Sequence, residues 1–153
     1  MSLEVGRRAP DFELVDQHGT PVRLSAFRGS RNVVLVFFPW AFSSVCTDEL
    51  TALRDNTGSF VNDTTQLLAV SIDSKFVQRR FAEQEGLDFP VLADSWPHGA
   101  VARAYGVFDP GAGAALRGTF VIDRDGMLRW SVVRGIGESR DPTDYVRALA
   151  ELG

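Results

Sequence analysis

The run "NVVLVFF", residues 32–38, is a continuous stretch of β-branched and aromatic side chains, as a strand needs when both its faces are buried. Before it, "DFELVD" and "PVRL" flank Gln17, His18, Gly19 and Thr20 and predict an early hairpin. Past Pro39 the period changes. Residues from about Ser44 to Arg54 favour helix, with Leu50 and Leu53 spaced to face a core and Asp48 and Glu49 expected in the first turn, where the macrodipole suits acids. "QLLAVSI" predicts a second strand. A helix from about Ser74 to Glu85 follows, with Val77 and Phe81 four apart and Gly86 as its stop. "FPVLAD" predicts a third strand, and Val101, Ala104 and Tyr105 a short helical face ended by Gly106. "GTFVID" and "MLRWSVV" surround Arg124, Asp125 and Gly126 as a hairpin, and Tyr145, Leu149 and Leu152 mark a closing helix.

Strands that alternate with helices and end in an antiparallel hairpin predict an α/β fold: a central mixed sheet flanked by helices, with an N-terminal β-hairpin. At 153 residues the compact arrangement of this kind is thioredoxin-like. No repeat, low-complexity tract or linker divides the chain, so one domain is expected over residues 1–153. A net charge of -4 with scattered Lys and Arg argues against a nucleic-acid partner. No segment approaches the roughly 18 apolar residues of a membrane helix, and "MSLEVGRRAPDF" has no apolar secretory core, so a cytoplasmic location is expected.

Cys46 is the only cysteine, which excludes an intrachain disulfide; with only His18 and His98 besides, a Cys/His zinc site lacks ligands. Lone cysteines are commonly small buried hydrophobes. Cys46, however, follows the most buried-looking strand, at the kind of edge where open α/β sheets form sites. It also falls near a predicted helix N-terminus, where free N–H groups and the dipole favour a thiolate. Asp48 and Glu49 oppose that charge, so the site needs an Arg or Lys from elsewhere in the fold, which the pattern alone does not identify. Ser43 stands three residues before Cys46, the spacing of a C-x-x-C pair with its first thiol replaced by a hydroxyl. That hydroxyl is placed to bond a thiolate or an incoming substrate oxygen, to cap the helix, or to do both.

Pro39-x-x-x-Ser43-x-x-Cys46 resembles the P-x-x-x-[T/S]-x-x-C signature of peroxiredoxins, thiol peroxidases with a thioredoxin-like fold. "APDFELVDQHG", "LSAFRG", "NVVLVFFP", "FPVLAD", "VARAYGVF" and "RGTFVIDRDG" extend the resemblance, in family order, over nearly the whole chain. "WPHGAVARAYGVF" and the missing second cysteine resemble most the one-cysteine alkyl hydroperoxide reductase E type of actinobacteria. The resemblance implies that Cys46 is the peroxidatic cysteine, Ser43 the hydroxyl that bonds the peroxide, Pro39 the ring that shields the pocket, and Arg117 the missing cation. Glu49 would orient that arginine, and Phe42, Trp96 and His98 are candidates for pocket or interface. Apart from the family, Arg117 reads as a surface residue beside a strand and Glu49 as a solvated acid. Serine, in place of the commoner threonine, lacks the methyl that restrains the rotamer.

The implied reaction is attack of the Cys46 thiolate on the terminal oxygen of hydrogen peroxide or an organic hydroperoxide, giving a sulfenic acid and water or an alcohol, with no metal, haem or flavin. A free thiol of pKa about 8.5 is roughly 3% ionised at pH 7, so full ionisation adds at most about 30-fold. Donors aimed at the leaving oxygen, here Arg117, Ser43 and the Cys46 N–H, contribute about 100-fold to 1000-fold each and are the larger effect. Turnover requires an external thiol: a low-molecular-weight thiol such as mycothiol, or a mycoredoxin-like or thioredoxin-like protein. The family also implies a homodimer. Two other readings compete. A redox sensor or thioredoxin-like binding module would oxidise Cys46 without efficient turnover, and a Cys–His hydrolase would need His98 as base.

Overall fold

Val33, Leu35 and Phe37 point to one side of the central run and Val34, Val36 and Phe38 to the other, and none is more than 1% exposed. A strand with two buried faces needs a layer on each side, and the chain supplies both. The computed structural model describes residues 3–152; residues 1, 2 and 153 of the expected 1–153 domain lie outside the described residues. In chain order the strands are β1 (Glu13–Val15), β2 (Pro21–Arg23), β3 (Asn32–Phe37), β4 (Thr65–Ser71), β5 (Val91–Ala93), β6 (Phe108–Asp109), β7 (Ala114–Ala115), β8 (Arg117–Ile122) and β9 (Leu128–Arg134). The helices are α1 (Ser44–Arg54), α2 (Thr57–Phe60), α3 (Lys75–Glu85), α4 (Ala100–Ala104) and α5 (Pro142–Ala150).

The main sheet runs β5-β4-β3-β8-β9. β3, β4 and β5 are parallel, and β8 and β9 are antiparallel additions, so the mixed sheet expected from the pattern is present. The expected N-terminal hairpin is β1-β2, with Leu14 opposite Val22. It packs with α4 residues and Tyr105 over one face of the sheet; residues of α1, α2, α3 and α5 cover the other. The order has a direct consequence for the site. Val36 of β3 lies opposite Thr119 of β8, so the antiparallel start of β8 sits at the same edge as the parallel end of β3.

Several local expectations are corrected. α1 begins at Ser44, which puts Asp48 and Glu49 beyond the first turn and leaves that turn without an acid. In α3, Gly86 ends the helix at φ 65, as read, and Ser74 is its cap, accepting from Val77 N, but Val77 is 36% exposed and Gln78 is fully buried in its place. Gln78 is held inward because its Nε2 donates to Ser71 Oγ and to Leu92 O. Ala104 is exposed, and Ala102 takes the buried position on α4. The single turn α2 and the two-residue pair β6-β7 were not expected, since neither is long enough to show a period.

Candidate active site

Helix geometry leaves the first N–H groups of α1 without intrahelical acceptors, and the first such bond here is Thr47 N–H to Ser43 O at 2.9 Å. Cys46 is therefore within the first turn, at the positive end of the dipole, with its own N–H among the unpaired ones. Its side chain has no exposed surface and packs with Val36, Phe38 and Leu50.

Arg117, the first residue of β8, donates from Nη1 to Cys46 Sγ at 3.2 Å and to Glu49 Oε1 at 2.6 Å. Its Nε donates to Ile136 O at 2.6 Å, which fixes the plane of the guanidinium. It is 2% exposed, so the surface position that it would have by sequence alone is excluded. The cation that the thiol needed is thus supplied by the strand whose direction brings its N-terminus to this edge.

Glu49, one turn after Cys46, is also buried, and a second arginine meets it that sequence reasoning did not find. Arg140 donates from Nε to Glu49 Oε2 at 2.9 Å and from Nη2 to Oε1 at 2.8 Å, a bidentate pair, and its backbone N–H adds a third bond at 2.8 Å. Its Nη1 donates to Phe37 O, Gly118 O and Thr119 Oγ1, tying the end of β3 to the start of β8. Burial alone would push the Glu49 carboxyl up, but the hydrogen bonds and charge of Arg140, with the charge of Arg117, outweigh it and hold the carboxyl below its usual range. One carboxylate between two guanidiniums leaves a buried charge of one positive unit. An anionic sulfur on Arg117 brings that sum to zero.

Pro39 is buried, and Ser43 lies in the loop between β3 and α1. Ser43 has the extended backbone of an N-cap, but its hydroxyl makes no capping bond and donates to Trp40 O at 2.8 Å. With its proton committed there, Ser43 offers lone pairs rather than the donor expected of it. Phe42 is 46% exposed at the rim, against Phe81. Trp96 is 85% exposed on the β5-α4 connection. His98 pairs with Gly113 O at 2.7 Å and abuts Phe108, with no hydrogen bond to Cys46, so the hydrolase reading lacks its base. Among the described residues no group of three His, Cys, Asp or Glu could hold a metal ion.

A mixed sheet with one thiol at its parallel edge, under a helix N-terminus and on an arginine, defines a thioredoxin-fold protein whose chemistry is carried by a single cysteine. Comparison with known proteins narrows that class: residues 5–131 match the AhpC/TSA family, and the chain belongs to it. It is similar to alkyl hydroperoxide reductase E of Mycobacterium tuberculosis, 49% identical over 150 residues that span 98% of each chain. The solved structure of peroxidoxin BcpB from Mycobacterium tuberculosis superposes with a TM-score of 0.84 at 35% identity, covering 98% of this chain and 96% of that one. The reduced 2-Cys peroxiredoxin of Plasmodium vivax gives 0.86 at 26% identity, covering 97% and 81%. The protein is accordingly a thiol-dependent peroxidase of the one-cysteine peroxiredoxin kind.

Proposed function

We propose that this chain, acting as one domain over residues 1–153, reduces hydrogen peroxide and organic hydroperoxides in the cytoplasm with Cys46 as sole nucleophile and Arg117 as the group that stabilises both thiolate and leaving oxygen. The observation that carries this reading is the 3.2 Å contact between Arg117 Nη1 and Cys46 Sγ. The sulfur lone pair attacks the terminal peroxide oxygen, the O–O bond breaks, and its electron pair leaves on the second oxygen, which takes up a proton as water or an alcohol. Sulfur gains the transferred oxygen as a sulfenic acid. Arg117 and the Cys46 N–H are donors for the charge that develops, and Ser43 accepts from the peroxide hydroxyl because its own proton is spent on Trp40 O. Pro39 keeps water from the sulfur. Glu49 and Arg140 act through Arg117 as positioning residues.

With one cysteine, the sulfenic acid persists until a thiol from another molecule condenses with it, releasing water and leaving a mixed disulfide that a second thiol reduces. We take that reductant to be a low-molecular-weight thiol of the mycothiol class or a small mycoredoxin-like or thioredoxin-like protein. The test is mass spectrometry after one equivalent of hydrogen peroxide without reductant. One added oxygen on Cys46, converted to a mixed disulfide by added thiol and absent from Cys46→Ser, is the expected result. Peroxide consumption surviving in Cys46→Ser, or a Cys46–Cys46 crosslinked dimer as main product on a non-reducing gel, would overturn the mechanism.

A further inference from the structure

Cys46 has no exposed surface, yet its sulfenic acid must be reached by a sulfur from another molecule. The loop over it, residues 39–43, therefore has to yield further for a thiol-bearing molecule than for a small peroxide. The hydrogen bonds that hold it down are few. Pro39 has no N–H, and both the N–H and the hydroxyl of Ser43 point back to Trp40 O within the loop itself. Among the described residues, the one hydrogen bond that ties residues 39–43 to a distant part of the chain is Ala41 N–H to Asp73 Oδ2, at 2.8 Å.

That carboxylate oxygen is itself set in place. Ser71 Oγ, at the end of β4, donates to it at 2.6 Å, and Ser71 Oγ accepts from Gln78 Nε2 of α3 at 2.7 Å. Gln78 is fully buried and its Oε1 has no partner, a cost that keeping Nε2 on Ser71 and Leu92 O explains. Next to the tie, Phe42 sits at φ 69, a left-handed conformation costly for a bulky residue, so the closed loop stores free energy that opening releases. Phe42 against Phe81 and Ala41 against the core hold the loop by packing, Ala41 N–H to Asp73 is its one distant hydrogen bond, and the strain at Phe42 works against both.

We propose that Asp73 is the latch of the active-site loop: a positioning residue that keeps Ser43 and Cys46 arranged for peroxide, and whose release lets the reducing thiol in. The proposal rests on the peroxidase reading above. It requires the two half-reactions to respond oppositely, which a general loss of structure would not produce. The test is stopped-flow kinetics of the full chain in two halves: oxidation by hydrogen peroxide, then reduction of the preformed sulfenic acid by 2-mercaptoethanol. Asp73→Ala should slow the first and speed the second so that the ratio of the two rates moves by about fivefold, the population change expected from one net hydrogen bond, with the larger part falling on whichever loop state is the rarer in wild type. Asp73→Asn keeps an acceptor for Ala41 N–H and should fall between. Hydrogen exchange at the Ala41 amide should quicken in Asp73→Ala while the β3 amides stay protected. Both half-reactions moving together, or Asp73→Ala matching wild type in a wild type that is oxidised, overturns the latch alone. A wild-type Cys46 that peroxide does not oxidise overturns the peroxidase reading with it.

Discussion

Glu49 gathers four hydrogen bonds from two arginines around two oxygens, and its replacement tests whether the site is held by charge or by shape. Glu49→Gln keeps the shape but leaves two buried guanidiniums without an anion, and a loss of about 3 kcal/mol of stability at pH 7 is expected. The pH sign follows from the depressed carboxyl. Its contribution is complete above the ordinary value of 4.5 and is lost as pH falls through the lower folded-state value. The gap between wild type and Glu49→Gln in urea midpoint should therefore be flat near neutrality and close only in acid; a gap that persists unchanged to low pH would mean that the pair is not ionic. Arg117→Ala asks a different question of the same cluster. At about pH 10, where a free thiol is already ionised, thiolate supply no longer separates the two proteins. A remaining deficit of about 100-fold in Cys46 oxidation marks transition-state stabilisation, and equal rates there would leave Arg117 only the role of charging the thiol.

At the scale of elements, what was legible in the chain is what repeats over several residues. The two-faced run of β3, the 3.6-residue face of α1 and the Ser74 and Gly86 ends of α3 all stand where pattern put them. Cys46 was legible through its place after that strand and Arg117 through resemblance, because neither depends on a distant contact to be noticed. Arg140 was not. It lies in "GESRDP", a polar stretch whose only local signal is the Asp141 cap and Pro142 start of α5, and its partners are 21 to 103 residues away. Gln78 and Asp73 were hidden for the same reason: a polar side chain turned inward follows its hydrogen-bond partners rather than the period, and those partners come from β4, β5 and the loop before α1. The buried polar network is where periodicity fails, and it is also what surrounds the thiol.

The molecule as a whole leaves four large aromatic side chains exposed. Trp96 is 85% exposed, Phe76 74%, Phe42 46% and Trp40 37%. The parallel pairings of Phe37 with Val70 and of Ser71 with Ala93 bring the ends of β3, β4 and β5 to one edge; Trp40, Phe42 and Trp96 lie in the connections that leave that edge, and Phe76 is the second residue of α3, the helix that follows β4. Aromatic side chains gathered on one side mark association surfaces more often than solvent-facing ones. We therefore expect a homodimer formed through this edge, which would put the interface beside the loop that covers Cys46. Light scattering at micromolar concentration should give about twice 16.8 kDa, and Trp96→Glu should lower it toward the single chain. If the wild-type chain already scatters as 16.8 kDa, no dimer forms and the exposed aromatics must serve some contact other than self-association. If both proteins scatter as dimers, the interface lies on another face. The Trp96→Glu monomer also separates assembly from chemistry: Cys46, Glu49, Arg117 and Arg140 are joined within one chain, so its oxidation by peroxide should persist, and a monomer that folds but no longer oxidises would show that the partner helps to close the loop.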